Sequence, residues 1–438
     1  MARAQSIGIR RRLNALLPPD ELDRLALESG LIRRRRKLDP TLMLWTLVLG
    51  FGAGRTRSLA ALRRVYQRVS GTALAPSSFQ ARLSPALVRF LRGVLNTLIE
   101  RAGVERPAVR GLLAPFADVV LADATVIKLH GLLAAKFPGT RTNCSPAAAK
   151  LHLVLSVLGR GVERVKLTAE RASDQRTLQV GPWVRDRLLI FDLGYFRYQL
   201  FDCIDRNGGH FLSRLPRRAN PEIVGVNRRW RGRQVELVGR RLDDVAGRLR
   251  REELDVEVEV RFKRRAYAGR RRTASRRLRL VGVLESESGV YRYYLTNIEP
   301  ETLDAQAIAQ LYAARWQIEL LFRQMKSHYR LESMPSAKAA AVEALVLATL
   351  ITQIVSGELL RAVRRRMRDR TRRLKEERWA ALFAAVAASV LDVMTLPARA
   401  AGTIARRLEP MLLHEAIDPN VGRHSLLERV DQECVWSR

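Results

Sequence analysis

The N-terminal quarter of the chain has hydrophobic residues at helical spacing. Proline and glycine interrupt this spacing at residues 18–19, 40, 52–54 and 76. Ser58 is a candidate N-cap for one short helix, and Ser77 or Ser78 for the next, on either side of Ser70 and Gly71. Two short helices around such a turn are compatible with a helix-turn-helix and, equally, with a plain helical bundle.

From about residue 115, short apolar runs typical of buried strands replace the helical spacing. The predicted strands cover residues 119–122, 151–158, 162–169, 188–191 and 210–215. Glycines flank Arg160 between the second and third runs, which indicates a hairpin, and short helices are predicted near Ser173 and over 195–204. Three strands, helix, strand, helix, strand is the order of the ribonuclease H-like fold, in which the first and fourth strands are neighbours.

The remaining pattern predicts an insertion and further helices. Alternating β-type segments at 254–262, 277–283 and 290–298 indicate a β-rich insertion, and helix resumes near Leu303 and continues past Lys326. We therefore predict an α/β ribonuclease H-like catalytic core with a β-rich insertion, flanked by helical N- and C-terminal regions. The predicted division is helical domain 1–112, core 113–216 and 301–335, insertion 217–300, and helical domain 336–438.

The charge balance indicates a polyanionic partner. Lys and Arg number 78 against 44 Asp and Glu, a net charge of +34. Such a surplus repels itself unless it meets a polyanion, and nucleic acid is the expected one. A codon bias would explain Arg in place of Lys, but not this excess over acidic residues. The runs 33–37 and 361–378 add to the basic character, and we expect region 1–112 to be a DNA-binding domain.

Cysteine usage and hydropathy indicate a cytoplasmic protein. Cys144, Cys203 and Cys434 stand far apart without a Cys-x-x-Cys spacing, which favours a reducing compartment and no zinc site. We expect no signal peptide, because no apolar stretch follows the basic first residues. We also expect no membrane span, since the apolar stretches at 42–50 and 339–355 are short or interrupted.

Two acidic residues end predicted buried strands. Asp123 and Asp192 each follow four apolar residues. A carboxylate at such a position is costly unless it is hydrogen-bonded, paired or bound to a metal. Alone, each is more often a turn or strand-cap residue. Because the first and fourth strands are predicted neighbours, the two carboxylates are expected to be close enough to share hard cations.

The helix after Leu303 has a polar stripe. At 100° per residue, its polar positions fall within about 60° of one another. They are Tyr312, Arg315, Glu319 and Lys326, with Arg323 beside them. An ordinary amphipathic surface helix with an i,i+4 ion pair between Arg315 and Glu319 would show the same pattern.

The spacing within this stripe resembles a known signature. Tyr312-x2-Arg315-x3-Glu319-x6-Lys326 is similar to the Tyr-Arg-Glu-Lys signature of the fourth family of insertion-sequence transposases, which are of the DDE type. The resemblance covers residues 115 to 335, and the flanking helical regions fit it loosely. Further similar segments are Asp123-Ala124-Thr125, Asp192-Leu193-Gly194-Tyr195-Phe196, Phe211-Leu212-Ser213-Arg214 and Tyr294-Leu295-Thr296-Asn297.

The resemblance implies a catalytic triad of Asp123, Asp192 and Glu319 on a ribonuclease H-like core that is split by the β insertion. The three carboxylates would hold two Mg²⁺ or Mn²⁺ ions, which stabilise the attacking and leaving oxygens of an in-line phosphodiester displacement. The implied reaction is cut-and-paste transposition: water frees a 3′-hydroxyl, which then attacks the opposite or the target strand. A DNA hairpin intermediate is an expectation of the same resemblance.

The basic residues around the triad are expected to contact DNA. Lys326, Arg315 and Arg323 would bind phosphates near the cut, and Tyr312 would do so through its hydroxyl. Arg214, after the fifth strand, is a further candidate, although an ordinary surface arginine is an equally open interpretation.

Tryptophans are candidates for holding an unstacked base. Trp230, in the basic insertion, could provide an aromatic platform, since a base removed from the stack gains from such a surface. A core or surface role is several times more common for a tryptophan. Trp316 borders the polar stripe, and we expect it to be packed beside Glu319.

The implied partners are the terminal inverted repeats of the element, target DNA and a second copy of the chain in a homodimer. Two alternatives stay open: an inactive, domesticated DNA-binding regulator, and a ribonuclease H-like nuclease without strand transfer. The intact triad argues against the regulator, because three uncompensated carboxylates beside DNA phosphates would weaken binding. The nuclease would not require the Tyr-Arg-Glu-Lys stripe.

Overall fold

The computed structural model describes most of the chain. The described residues are 7–32, 38–102, 111–140, 145–159, 161–227, 236–247, 249, 251–263, 273–285, 289–367 and 374–419. Arg160, Trp230, the basic run 33–37 and the part 368–373 of the basic stretch 361–378 lie outside these ranges, as do Cys144 and Cys434.

The helices lie mainly at the two ends of the chain, as predicted. They are α1 (Ile9–Leu16), α2 (Pro19–Glu28), α3 (Pro40–Trp45), α4 (Leu59–Ser70), α5 (Pro76–Arg82), α6 (Pro85–Ala102), α7 (Asp174–Thr177), α8 (Tyr198–Arg206), α9 (Leu242–Ala246), α10 (Ala305–Ala313), α11 (Trp316–Ser327), α12 (Ala339–Arg366), α13 (Glu376–Thr395) and α14 (Ala398–His414). A π-helical segment, Thr46–Gly52, continues α3.

The predicted N-caps have different outcomes. The Ser58 hydroxyl accepts a hydrogen bond from the Ala61 amide at 3.1 Å, which confirms the predicted start of α4. The prediction of Ser77 or Ser78 as the next cap is wrong. Helix α5 begins at Pro76 with no side-chain cap, because the preset φ of proline suits the first helical position.

One nine-stranded sheet contains all the strands described. They are β1 (Asp118–Lys128), β2 (Ala148–Ser156), β3 (Gly161–Ala169), β4 (Arg187–Phe191), β5 (His210–Arg214), β6 (Glu222–Val226), β7 (Glu253–Lys263), β8 (Thr273–Leu284) and β9 (Tyr291–Thr296), in the order β3-β2-β1-β4-β5-β9-β8-β7-β6. Strand β1 pairs antiparallel with β2 and parallel with β4. The prediction that the first and fourth strands are neighbours is therefore confirmed.

The β-rich insertion extends this same sheet. Strand β9 pairs antiparallel with β5, and β8, β7 and β6 follow outward. The three predicted strands of the insertion are confirmed, whereas β6 and α9 were not predicted. The insertion is thus joined to the strands of the proposed core by backbone hydrogen bonds rather than by side-chain packing alone.

The two faces of the sheet carry separate apolar clusters. One cluster joins buried residues of β1 and β2, such as Leu121 and Leu153, to the N- and C-terminal helices. The other joins the opposite face, including Val120 and Phe191, to α8 and the insertion. Alternate residues of a strand point to opposite faces, so Asp123 shares the face of Leu121, which the terminal helices cover.

Two of the described helices are long and apolar enough to cross a membrane by length and composition alone. They are α12 and α13, and 72% and 50% of their most apolar windows are buried inside the protein. A core helix meets the same criterion, so this observation is weak evidence for a span. The expectation that the chain has no membrane span stays a prediction.

Gly52 lies where the π-helical segment crosses α12. A Cβ atom at this position would lie 2.0 Å from Thr352 Oγ1 and 2.8 Å from the Ala348 carbonyl oxygen. Thr352 is fully buried and donates to the Val48 carbonyl at 2.8 Å, so it cannot move aside freely. We expect Gly52→Ala to lower the free energy of unfolding by about 1–3 kcal/mol, the usual cost of overpacking.

Thermal and denaturant unfolding would measure this loss. The matched control is Gly357→Ala in α12, where nothing lies within 4 Å of the added Cβ atom. That variant should gain up to about 1 kcal/mol from the better helix propensity of alanine. Equal unfolding midpoints for the two variants would contradict the close approach at Gly52.

Candidate active site

Asp123 lies within β1, rather than at its end as predicted. The strand continues to Lys128 because β2 supplies pairing partners along this whole length, with Leu153 opposite Asp123. The parallel pairing with β4, in contrast, stops at Ala122 and Phe191. Asp123 is therefore the first residue of β1 beyond the paired stretch with β4.

Asp192 is the corresponding residue on the other strand. It directly follows Phe191, the last residue of β4, and precedes a single helical turn, Leu193–Tyr195. The Tyr195 amide donates to the Asp192 carbonyl at 3.0 Å and closes this turn. The two aspartates thus occupy equivalent positions on neighbouring parallel strands.

Glu319 lies in the first turn of α11, which packs against β1. The prediction of one continuous helix from Leu303 is wrong: α10 and α11 are separate, and the chain between them forms a tight turn. The Ala314 and Arg315 amides donate to carbonyls three residues back, at 3.0 and 3.1 Å. Both residues keep right-handed helical φ and ψ angles, so the polar residues stay close to one another.

Asp123 has a shifted carboxyl group. Burial, together with the negative charges of Asp192 and Glu319, raises the pKa of Asp123 to about 6. The Ala124 amide, which donates to Asp123 Oδ1 at 2.7 Å, and the Arg315 guanidinium act in the opposite direction. Asp192 and Glu319, on elements far apart in sequence, are therefore both within electrostatic reach of Asp123.

Arg315 forms an i,i+4 ion pair with Glu319, as an ordinary amphipathic surface helix would also show. Its Nη1 lies 2.5 Å from Glu319 Oε1, and both side chains are partly buried. The Arg315 Nε atom is buried and has no hydrogen-bond partner among the described residues. Arg315 therefore holds Glu319 and retains one unused donor.

Tyr312 is buried beside this pair. Its ring lies 5.1 Å from the Tyr294 ring, and the Arg315 guanidinium lies 5.7 Å from its centroid. Burial raises the pKa of the Tyr312 hydroxyl, which has no hydrogen-bond partner among the described residues. Arg214, exposed at the end of β5 opposite Tyr294, lowers that pKa and so lies within electrostatic reach.

A cleft of about 540 Å³ opens in front of Asp123. Its lining residues are Asp123, Ala124, Thr125, Glu319, Phe322, Arg323, Lys326, Ser327 and Glu332. We refer to this space as the Asp123 cleft. It contains two of the three predicted catalytic carboxylates and two of the predicted DNA-contacting cations, whereas Asp192 is not among its lining residues.

Two of the cations on α11 already have partners. Lys326 Nζ lies 2.8 Å from Glu332 Oε1. The Arg323 guanidinium lies 5.3 Å from the centroid of the Trp316 ring. Trp316 is 47% exposed, and its expected packing beside Glu319 stays a prediction. The candidate platform Trp230 lies outside the described residues.

Among the residues that the structure describes, no group of three or more His, Cys, Asp or Glu side chains is arranged to hold a metal ion. The chemistry of the donors nevertheless fits a divalent cation, because carboxylate oxygens are hard ligands. The raised pKa of Asp123 also indicates buried negative charge that a cation would offset.

The sequence analysis did not identify Glu332. This residue lies in the turn after α11, where helical periodicity no longer predicts which side chains share a face. The sequence analysis also missed a polar group beside β2, where Asp174 Oδ1 lies 3.0 Å from Lys150 Nζ and 3.6 Å from His152 Nδ1. Asp174 acts on the pKa of Tyr195 together with Asp123. Contacts between segments far apart in the chain, rather than any local motif, bring these residues to their positions.

Comparisons with known proteins show which proteins the chain is similar to. Residues 114–354 match the family model described as a transposase DDE domain. The chain is 24% identical over 385 residues to the transposase for insertion sequence element IS231F of Bacillus thuringiensis subsp. israelensis, covering 77% of each chain. It is 24% identical over 349 residues to the transposase for IS421 of Escherichia coli, covering 78% of this chain and 91% of that protein.

The comparisons include one solved structure. The cryo-EM structure of the piggyBac transposase synaptic complex with hairpin DNA matches with a TM-score of 0.44 at 11% sequence identity, covering 96% of this chain and 88% of that chain. The family match extends over more than half of the present chain and includes Asp123, Asp192 and Glu319. The chain therefore belongs to the transposase DDE domain family and is a DNA transposase.

Proposed function

We propose that this transposase cuts DNA strands at the ends of its own element and joins them to target DNA, with Asp123, Asp192 and Glu319 as its catalytic carboxylates. The observation that carries the proposal is where the pairing of β1 with β4 ends. Asp123 and Asp192 are the next residues on these neighbouring strands, and Glu319 is close enough to raise the pKa of Asp123.

DDE transposases generally use divalent metal ions, and we propose that the three carboxylates hold two Mg²⁺ or Mn²⁺ ions. Such ions stabilise the attacking and the leaving oxygen of a phosphodiester displacement. Glu319 contacts Arg315 through Oε1, so its other oxygen could be a ligand while this ion pair remains. If Glu319 leaves Arg315, the guanidinium would have its Nη1 and its unused Nε donor available for a phosphate.

The remaining polar residues are suited to holding DNA. Lys326 and Arg323 line the Asp123 cleft and offer cations beside Glu319. The buried Tyr312 hydroxyl has no hydrogen-bond partner among the described residues. A phosphate oxygen that accepted a hydrogen bond from it would remove the energetic cost of this unpaired donor. Arg214 is exposed at the end of β5, and we propose it as a further phosphate contact.

Several finer features belong to the same proposal. The Tyr-Arg-Glu-Lys spacing supports the fourth insertion-sequence family and a cut-and-paste reaction, and the order β3-β2-β1-β4-β5 supports a ribonuclease H-like core. We propose that residues 1–112 bind DNA and that the core comprises 113–216 and 301–335. Terminal inverted repeats as the bound DNA, a homodimer holding two ends, and a bacterial cytoplasmic location complete the proposal.

Analysis of the reaction products tests this function. Purified protein is incubated with Mg²⁺ or Mn²⁺, duplexes that carry the ends of the element, and a supercoiled target plasmid. The proposal predicts cut ends with 3′-hydroxyls and their covalent joining to the plasmid. Cutting without joining would favour a plain nuclease, and binding without cutting would contradict the proposed catalytic role.

Replacement of Lys326 by alanine should weaken DNA binding and make it less dependent on salt. Each phosphate contact contributes about 0.9 to the slope of log K against log salt concentration, so the slope should become shallower by up to this amount. Fluorescence anisotropy with an end duplex at several salt concentrations measures it. An unchanged slope would contradict a phosphate contact by Lys326.

A further inference from the structure

Glu332 lies in a sharply turned segment directly after α11. Arg330 has a left-handed backbone, with φ of 48°, which is uncommon for a residue other than glycine. The Leu331 amide donates to the Met325 carbonyl at 2.9 Å and closes the end of the helix. Leu331 is fully buried. The chain is thereby turned back, so that Glu332 lies beside the helix rather than beyond it.

Residues of the N-terminal helical region contact the same turn. Arg57 donates from Nη2 to the Tyr329 carbonyl and from Nη1 to the Ser333 carbonyl at 3.5 Å. Gly54 packs so closely that a Cβ atom there would lie 2.5 Å from the His328 carbonyl oxygen. The position of Glu332 is therefore determined by contacts from two parts of the chain.

This position brings Glu332 into the Asp123 cleft, where its carboxylate lies 2.8 Å from Lys326 Nζ. The side chains of Lys326 and Glu332 are 32% and 57% exposed. Exposed ion pairs of this kind are weak, since water and salt screen them. A DNA phosphate, which carries the same single negative charge as the carboxylate, can therefore displace Glu332 from Lys326 without a large energetic cost.

We propose that Glu332 competes with DNA for Lys326: it holds Lys326 in the DNA-free protein, and a DNA phosphate in the cleft must replace it. This inference rests on the proposed function, because it requires that Lys326 contacts DNA. A duplex that does not deliver a phosphate to Lys326 leaves the pair intact. A duplex that delivers one must break the pair, so Glu332 lowers the affinity for DNA that is bound in the cleft.

A double-mutant cycle of Glu332→Gln and Lys326→Ala tests the proposal on the full chain. The glutamine keeps the shape of the side chain and removes its charge. Dissociation constants are measured by anisotropy with duplexes that carry the ends of the element. We expect Glu332→Gln to bind about two- to fivefold more tightly than the wild type, the range that corresponds to the loss of an exposed ion pair. On the Lys326→Ala background, the same substitution should produce no gain.

Glu285→Gln is the matched control, since Glu285 is 34% exposed and pairs with Arg292 on β9. It should leave the dissociation constant unchanged. Unchanged or weaker binding by Glu332→Gln would overturn the proposal, because a merely structural role of Glu332 predicts that result. An equal gain on both backgrounds would also overturn it, since the effect would then be general charge removal. Wild-type protein that binds no DNA would instead refute the proposed function itself.

Discussion

Replacement of Glu319 by glutamine should abolish DNA cleavage while leaving the binding of the element's ends nearly unchanged. Glutamine has the size of glutamate and can still accept a hydrogen bond from Arg315, so α11 should keep its structure. It lacks the negative charge that a metal ligand at this position supplies. Removal of one member of a catalytic group typically costs on the order of a thousandfold or more in rate.

Single-turnover cleavage and anisotropy, measured on the same preparation, separate these two effects. Glu301→Gln provides the control, because Glu301 is an exposed acid shortly before α10. It should retain wild-type cleavage. Full cleavage by Glu319→Gln would contradict the assignment of Glu319 as a catalytic carboxylate and would leave its ion pair with Arg315 as its only role.

Replacement of Arg279 by alanine should strongly destabilise the protein. Arg279 on β8 forms a buried, bidentate ion pair with Asp255 on β7, with Nε 2.9 Å from Oδ1 and Nη2 2.5 Å from Oδ2. Its Nη1 also donates to the carbonyls of Ile298, Glu299 and Leu303, in the segment that leads into α10. Breaking a buried pair leaves an uncompensated charge, which costs about 3–5 kcal/mol of unfolding free energy.

Two further variants show whether the lost charge pair is the cause. Arg279→Met combined with Asp255→Leu removes both charges and should recover much of the stability. Arg292→Ala on β9 breaks an exposed pair with Glu285 and should change the unfolding free energy by about 1 kcal/mol or less. Equal midpoints for Arg279→Ala and Arg292→Ala in denaturant unfolding would contradict this account.

The sites of Asp123 and Asp192 were predictable because a run of consecutive apolar residues indicates a buried strand. Four apolar residues before Asp123 and before Asp192 identify two buried strands, and the order of elements predicts that these strands are neighbours. The end of β1 was not predictable in the same way. It depends on β2, which pairs with β1 as far as Lys128, and such pairing is a property of two distant segments.

The break between α10 and α11 has a similar explanation. Residues 312–320 contain no glycine or proline, so the sequence predicts an uninterrupted helix. In the structure, the amides of Ala314 and Arg315 instead donate to carbonyls three residues back, which makes a tighter turn than an α-helix. Such a change costs little locally and is decided by packing against the sheet.

Non-local contacts also account for the residues that were missed. Glu332 enters the Asp123 cleft only because Arg330 turns the chain and Arg57, from the N-terminal region, holds that turn. The continuation of the sheet into the insertion likewise depends on β5 pairing with β9, far along the chain. Hydrophobic periodicity describes single elements and contains no information on such partners.

The most direct test of the catalytic assignment is the metal dependence of cleavage in wild-type protein and in Asp123→Ala. Both proteins are incubated with duplexes carrying the ends of the element, with Mg²⁺, with Mn²⁺ or with a chelator, and Asp244→Ala on α9 provides an exposed-aspartate control. We expect wild-type protein and the control to release 3′-hydroxyl ends only when metal is present, and Asp123→Ala to bind the duplex without cutting it. Metal-dependent cleavage by Asp123→Ala at the wild-type rate would contradict the central role of this carboxylate.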